Sequence, residues 1–175
     1  MSKGIILFQS KYGATKQYVD WLVEDTGFDT VLTKEANLSE LSKYDIIILA
    51  GGVYASTIAR ISFMKKNYEA LKSKKLAVLA VGASRYEESD FEELVQFNFK
   101  GEFKEIACFY ARGDLDIENM KFKDRRLLRT FQGVYAKKDP AEYEIIEEAL
   151  MSAMDVKKDW KDKKYLEPLL SWINA

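Results

Sequence analysis

Residues 8–19 read FQSKYGATKQYV. Gly4 to Phe8, GIILF, is a short apolar run of strand type. Tyr18, Val19, Leu22 and Val23 then give the i, i+1, i+4, i+5 stripe of an amphipathic helix over Ala14 to Glu24. The hexamer Ser10-Lys11-Tyr12-Gly13-Ala14-Thr15 is therefore a strand-to-helix turn. A helix N-terminus offers unpaired N–H groups and a partial positive charge. Ser10 and Thr15 add hydroxyls, Gly13 lets the backbone approach closely, and Lys11 adds a cation. The set suits an anion, and a capped turn with Ser10 or Thr15 as the cap accounts for the hydroxyls equally well. Neither G-x-x-x-x-G-K-[ST] nor G-x-G-x-x-G is present here.

Outward from this turn, strands and helices alternate. Phe28 to Thr33 is β-prone and follows Gly27, a helix stop, and a short helix is expected after a cap near Asn37. Asp45 to Ala50, DIIILA, is the unbroken β-branched run of a strand buried on both faces, ended by Gly51-Gly52. Ile61 to Leu71 is helical, Leu76 to Val81 (LAVLAV) is a second central strand, Asp90 to Phe97 is helical, and Glu105 to Tyr110 is a fifth strand. Crossovers of these lengths make right-handed βαβ units, so the fold class is a doubly wound α/β domain. A single domain over 1–175 is expected, with helices at 119–138 and in the C-terminal segment 140–175, the latter opened by Asp139-Pro140.

Bulk composition excludes much chemistry. The 175 residues carry a formal net charge of -1, which gives no global attraction to nucleic acid. Histidine is absent and Cys108 is the only cysteine. That removes Ser-His-Asp and Cys-His catalysis, histidine- or thiolate-bound metals and internal disulfides. Cys108, inside IACFYA, reads as an inert core residue. With no signal peptide at the start, a reducing cytoplasm is the expected location. No metal site is expected, and much of enzyme chemistry is excluded unless a cofactor brings it.

In a doubly wound sheet ligands bind at the carboxyl ends of the strands, where the winding reverses. Three loops there stand out: Ser10 to Thr15, GGVYAS at 51–56, and GASRYEESD at 82–90. The second and third supply glycines for close backbone approach and one tyrosine each, Tyr54 and Tyr86, suited to stacking on a flat ring.

These features resemble the flavodoxin family. KGIILFQSKYGATKQYVDWL and YDIIILAGGVYASTIARISFMKKN look like the flavodoxin-domain branch that includes the menaquinone-dependent protoporphyrinogen oxidases, over roughly residues 1 to 110. The resemblance implies a five-stranded parallel sheet of order 2-1-3-4-5 with helices on both faces, and FMN as cofactor. By it Ser10, Lys11, Tyr12, Gly13, Ala14 and Thr15 hold the FMN phosphate. Gly52, Val53, Tyr54 and Ala55 border the isoalloxazine on one side, and Gly82, Ala83, Ser84, Arg85 and Tyr86 on the other. Flavin N5 then carries the redox chemistry. The acidic electron-carrier flavodoxins place a tyrosine and several acids in the third loop, a pattern SRYEESD matches in part.

Residues 119–138, NMKFKDRRLLRTFQGVYAKK, carry seven basic residues and one acid, with an apolar stripe of Leu127, Leu128, Phe131, Val134 and Tyr135. A helix packed on the sheet with a solvated basic face explains this. A surface for a redox partner protein, a quinone or porphyrin, or peripheral membrane contact explains it too. The functions open are an FMN-dependent oxidoreductase resembling protoporphyrinogen oxidase and a one-electron carrier. A response-regulator domain would need acids where Gln9-Ser10 stand and a phosphoacceptor aspartate where Gly51-Gly52 stand.

Overall fold

A computed structural model describes residues 3–175. Met1 and Ser2, which open both the single-domain span and the stretch of resemblance, lie outside the described residues. In chain order the elements are β1 Gly4–Gln9, α1 Ala14–Thr26, β2 Asp29–Leu32, α2 Leu38–Leu41, β3 Ile46–Tyr54, β4 Thr57–Ile58, α3 Ile61–Lys66, α4 Tyr68–Leu71 and β5 Lys75–Gly82. Then follow α5 Glu88–Asn98, β6 Ala107–Arg112, β7 Asp114–Leu115, α6 Phe122–Tyr135, α7 Ile145–Ser152, β8 Lys158–Asp159 and α8 Glu167–Asn174.

Five strands pair in parallel in the order β2-β1-β3-β5-β6, and β4 folds back antiparallel on β3. With the short β4 set aside, this is the expected 2-1-3-4-5 order. The side-chain period of two splits the apolar runs between two faces. Ile5, Leu7, Ile47, Leu49, Val78 and Ala80 meet Ile61, Met64, Tyr68 and Leu94 on one side. Ile6, Phe8, Ile46, Ile48 and Leu79 meet Tyr18, Val19 and Leu22 of α1 with Leu166 and Leu169 on the other. Burial on both faces is why these strands lack polar alternation. The Tyr18 hydroxyl donates to the Arg112 carbonyl (2.5 Å) and accepts from Asp162 N–H (3.1 Å), so α1 is tied to β6 and the C-terminal segment.

Several boundaries differ from the sequence expectation. Gly51-Gly52 do not end β3: they pair with Ala80 and Val81, and the strand runs on to Tyr54. The glycines are needed for the returning arm, because Ala59 N–H bonds the Gly52 carbonyl (2.9 Å) and a Cβ on Gly51 would lie 2.5 Å from the Ala59 carbonyl oxygen. The helix over Ile61 to Leu71 breaks at Asn67, whose amide bonds the Phe63 carbonyl at 2.8 Å. The fifth parallel strand begins two residues later than expected, after a short 3-10 turn at Gly101–Glu105. Asp139-Pro140 start only a 3-10 turn, and α7 begins at Ile145 behind a capping box of Glu144 and Glu147.

Helix α6 does not lie on the sheet. It packs through Leu128 and Tyr135 on a small separate cluster of Leu115, Ile117, Leu150 and Ala153. Its buried Gln132 donates to the Leu150 carbonyl at 2.8 Å. Leu127, Phe131 and Val134 are left 40–57% exposed.

Candidate functional site

The carboxyl ends of β1, β3 and β5 bring the three sequence-predicted loops to one edge of the sheet. In the first, Gly13 takes φ +105°, a conformation that strains any other residue, and so turns β1 into α1 within four residues. The Ser10 hydroxyl accepts from Gly13 N–H (3.1 Å) and shapes the turn. No side chain caps α1, so its first-turn N–H groups stay open. Thr15 is 4% exposed, and its hydroxyl makes no hydrogen bond among the described residues. Ala14 lies against Gly113, where an added Cβ would stand a tight 3.2 Å from the Ala14 Cβ.

Lys11 and Tyr12 reach sideways from this turn. Both meet one carboxylate oxygen of Asp124, in the first turn of α6: Lys11 as an ion pair and the Tyr12 hydroxyl as a donor. Lys121 N–H in turn donates to the Tyr12 oxygen at 3.4 Å. The Lys11 and Tyr12 bonds hold the Asp124 carboxyl below the usual carboxylate range. Hydrogen bonding to Asp124 raises Lys11, and burial followed by that bond raises Tyr12.

The second loop is a hairpin. Val53 and Tyr54 belong to β3, and Ala55 (φ +46°) and Ser56 (φ +61°) form the two-residue turn into β4. Positive φ at both central residues matches the twist of a tight hairpin. Buried Asn98 holds the tip: its carbonyl oxygen accepts from Ile58 N–H (3.1 Å), and its amide donates to the carbonyls of Ser56 (2.7 Å) and Leu94 (2.9 Å). The Tyr54 ring lies over Gly52, where a Cβ would come within 2.9 Å of it, and the Lys11 ammonium stands 5.7 Å from the ring centroid. Burial raises the Tyr54 phenol.

In the third loop, Tyr110 of β6 approaches so near Gly82 that a Cβ there would lie 2.5 Å from its hydroxyl oxygen. That hydroxyl donates to the Ser84 carbonyl (2.8 Å), and Arg112 Nε donates to the Ala83 carbonyl (3.0 Å). Tyr86 is 50% exposed and leans on Phe91 and Tyr110, with ring centroids 5.6 and 6.3 Å away. Arg85 pairs with Glu87 and, at 3.4 Å, with Glu148. The structure thus links Tyr54 to the first loop through Lys11, and seats Tyr86 against α5 and β6. Among the described residues no group of acids and cysteines has metal-binding geometry.

The flavodoxin-domain family profile matches residues 5–142. The chain belongs to the flavodoxin-domain family. In solved structures it is similar to the flavodoxin of Streptococcus pneumoniae TIGR4, at 18% identity over 87% of this chain and 98% of that one, with a TM-score of 0.40. It is also similar to the Trp repressor binding protein of Bacillus subtilis (12%, 63% and 85%, TM-score 0.44). A third is a flavodoxin from the domain Archaea (15%, 71% and 90%, TM-score 0.38). No curated protein is a significant match.

Three residues of this flavodoxin domain enter the site without a sequence expectation. Asn98 clamps the hairpin from α5, and Arg60 bonds the Gln9 side chain at the end of β1. Asp124 binds the Ser10–Thr15 loop across 112 positions of chain. A signal for it was present, since it is the only acid among the seven basic residues of 119–138. Two surface clefts are lined by no residue of the three loops, although the second shares Arg60 with the site. One of about 310 Å³ lies between β2 and α2, and one of about 250 Å³ is lined by Thr33, Arg60 and Lys66.

Proposed function

We propose that the protein binds FMN at this edge and works as a flavin-dependent oxidoreductase, passing electrons from a reduced organic substrate to a quinone or another acceptor. The observation that carries the binding is the open N-terminus of α1 with the unpartnered Thr15 hydroxyl. A hydroxyl without an internal partner on a largely buried residue, and unpaired amides in the same turn as a cation, fit a terminal phosphate. In this reading Ser10 to Thr15 hold the phosphate, and the hairpin at Gly52–Ala55 and the loop at Gly82–Tyr86 border the ring. Bound FMN would supply one- and two-electron chemistry, and the chain would orient and tune it.

The partner surface in this reading is the outer side of α6. Leu127, Phe131 and Val134 are exposed at i, i+4, i+7 beside Lys123, Arg126 and Lys137. Arg129 and Lys138 are paired with Glu118 and Glu147, whereas those three cations have no carboxylate partner among the described residues. An apolar ridge with a cationic flank supports docking of an acidic redox protein or of a membrane surface holding quinone. No helix among the described residues is long and apolar enough to cross a membrane.

The protein's colour and visible spectrum, then quenching of FMN fluorescence on titration, test the binding. A preparation that leaves FMN emission unchanged refutes it. Oxidation of protoporphyrinogen with menaquinone supplied tests the oxidase resemblance. The second reading, a one-electron carrier, is favoured by the acidic third loop. It requires a long-lived semiquinone during dithionite reduction and no porphyrinogen turnover.

A further inference from the structure

The first turn of α6 meets the phosphate-type loop through a single carboxylate. Asp124 accepts from the Tyr12 hydroxyl and pairs with the Lys11 ammonium, the two side-chain donors of that loop nearest α6. Lys121 N–H completes the contact at the Tyr12 oxygen (3.4 Å). Further along, α6 is anchored independently of the loop. Gln132 bonds the Leu150 carbonyl, Arg129 bonds the Met154 carbonyl at 2.9 Å, and Lys138 pairs with Glu147 at 2.7 Å. The helix is therefore fixed at its C-terminal half, and its first turn is held by the Asp124 latch to the loop and by Arg125, which donates to the Glu118 carbonyl at 2.9 Å.

A phosphate and a carboxylate compete for the same donors, because each carries anionic oxygens that accept from an ammonium and a phenol. Two anions sharing Lys11 and Tyr12 also repel each other. We infer that Asp124 is the resident counter-anion of this loop: a phosphate-ended ligand must draw Lys11 and Tyr12 away from it. Asp124 thereby sets the affinity for the phosphate end of a flavin, and phosphate binding releases the first turn of α6. The inference rests on the proposed FMN site and goes beyond it, since it discriminates between flavins. Riboflavin, which has no phosphate, leaves the latch in place.

The experiment titrates wild type, Asp124→Asn and Asp124→Ser with FMN, with riboflavin and with inorganic phosphate. Flavin quenching reads the first two, and hydrogen exchange over residues 121–126 reads release of the turn. Two variants guard against a local folding defect, which circular dichroism would report. The expected result is FMN binding tighter on the order of tenfold in both variants, riboflavin affinity within about twofold of wild type, and faster exchange at 121–126 in wild type once FMN or phosphate is added. Wild type that binds FMN, with variants binding it equally or more weakly, overturns this inference alone. Equal tightening for FMN and riboflavin overturns it too, because the effect would not come from the phosphate. Tighter inorganic phosphate in the variants without FMN binding supports the competition and removes the flavin reading. A wild type that binds neither ligand overturns both.

Discussion

Replacing Thr15 by valine exchanges a hydroxyl for a methyl of nearly equal volume at a residue only 4% exposed. The hydroxyl makes no hydrogen bond within the described residues, so its loss leaves no internal partner unsatisfied, and the stability of the apo-protein should change by less than about 0.5 kcal/mol. In the proposed complex the same hydroxyl donates to a phosphate oxygen. A hydrogen bond to a charged group contributes roughly 1.5–3 kcal/mol, so FMN should bind about 10- to 150-fold more weakly. Riboflavin affinity should not change. The assay is quenching of flavin emission in Thr15→Val and wild type, beside a thermal melt of each apo-protein. FMN affinity within twofold of wild type would remove Thr15 from the phosphate site. A large loss of apo stability would instead show that the hydroxyl serves the fold.

Asn98→Leu leaves the buried Ile58 N–H without its acceptor at the hairpin tip. It should cost about 1–3 kcal/mol and lower the melting temperature by roughly 2–12 °C; an unchanged melt would refute the clamp. The Cys108 thiol is pushed up to about 12 by burial in β6. It should resist a thiol-specific disulfide reagent at pH 8 in the native state and react at once in denaturant, and rapid native labelling would contradict the packing. Asp124 has a depressed folded-state pKa. Its contribution to stability is therefore complete above the ordinary carboxylate value of about 3.9 and is lost as pH falls through the lower folded value. The difference in urea midpoint between wild type and Asp124→Asn should hold steady from pH 7 to near pH 4 and shrink below that, whereas shrinkage already at pH 5–6 would mean that the pair is not formed.

The order of the sheet was legible because each of its strong signals is local. DIIILA and LAVLAV declare strands buried on both faces, and the helical stripe after Gly13 declares the first crossover. The strand-to-helix turn at residues 10–13 was legible for the same reason, since strand end, glycine and helical stripe lie close together in the chain. The second loop was misread at Gly51-Gly52. Glycines usually end a strand, but here they make room for a returning arm whose contact, Ala59, lies eight residues away. Helix α6 was legible as amphipathic, yet its apolar stripe divides between Leu128 and Tyr135, which face a local cluster, and Leu127, Phe131 and Val134, which face outward. Periodicity finds such a stripe without saying how wide a partner it meets. Asp124 and Asn98 act over separations of 112 and 40 residues, and no local pattern encodes a contact of that span.

The charges at this edge bear on the potential of the flavin proposed for it. Arg85 alone would favour an anionic reduced ring, but its guanidinium is already met by Glu87 and Glu148. Glu88 and Asp90 stand in the first turn of α5. Two cations, Arg85 and Arg112, therefore meet four carboxylates around the third loop. On the opposite flank Lys11 is paired with Asp124, and a bound phosphate would take over that pairing without leaving surplus positive charge. Arg112 at the third loop and Arg60 at the end of β1 have no carboxylate partner among the described residues, so two cations stand against the unpaired Glu88 and Asp90. The carboxylates would oppose the negative charge of a fully reduced ring and the arginines would favour it, so the potential follows from which of them the ring approaches.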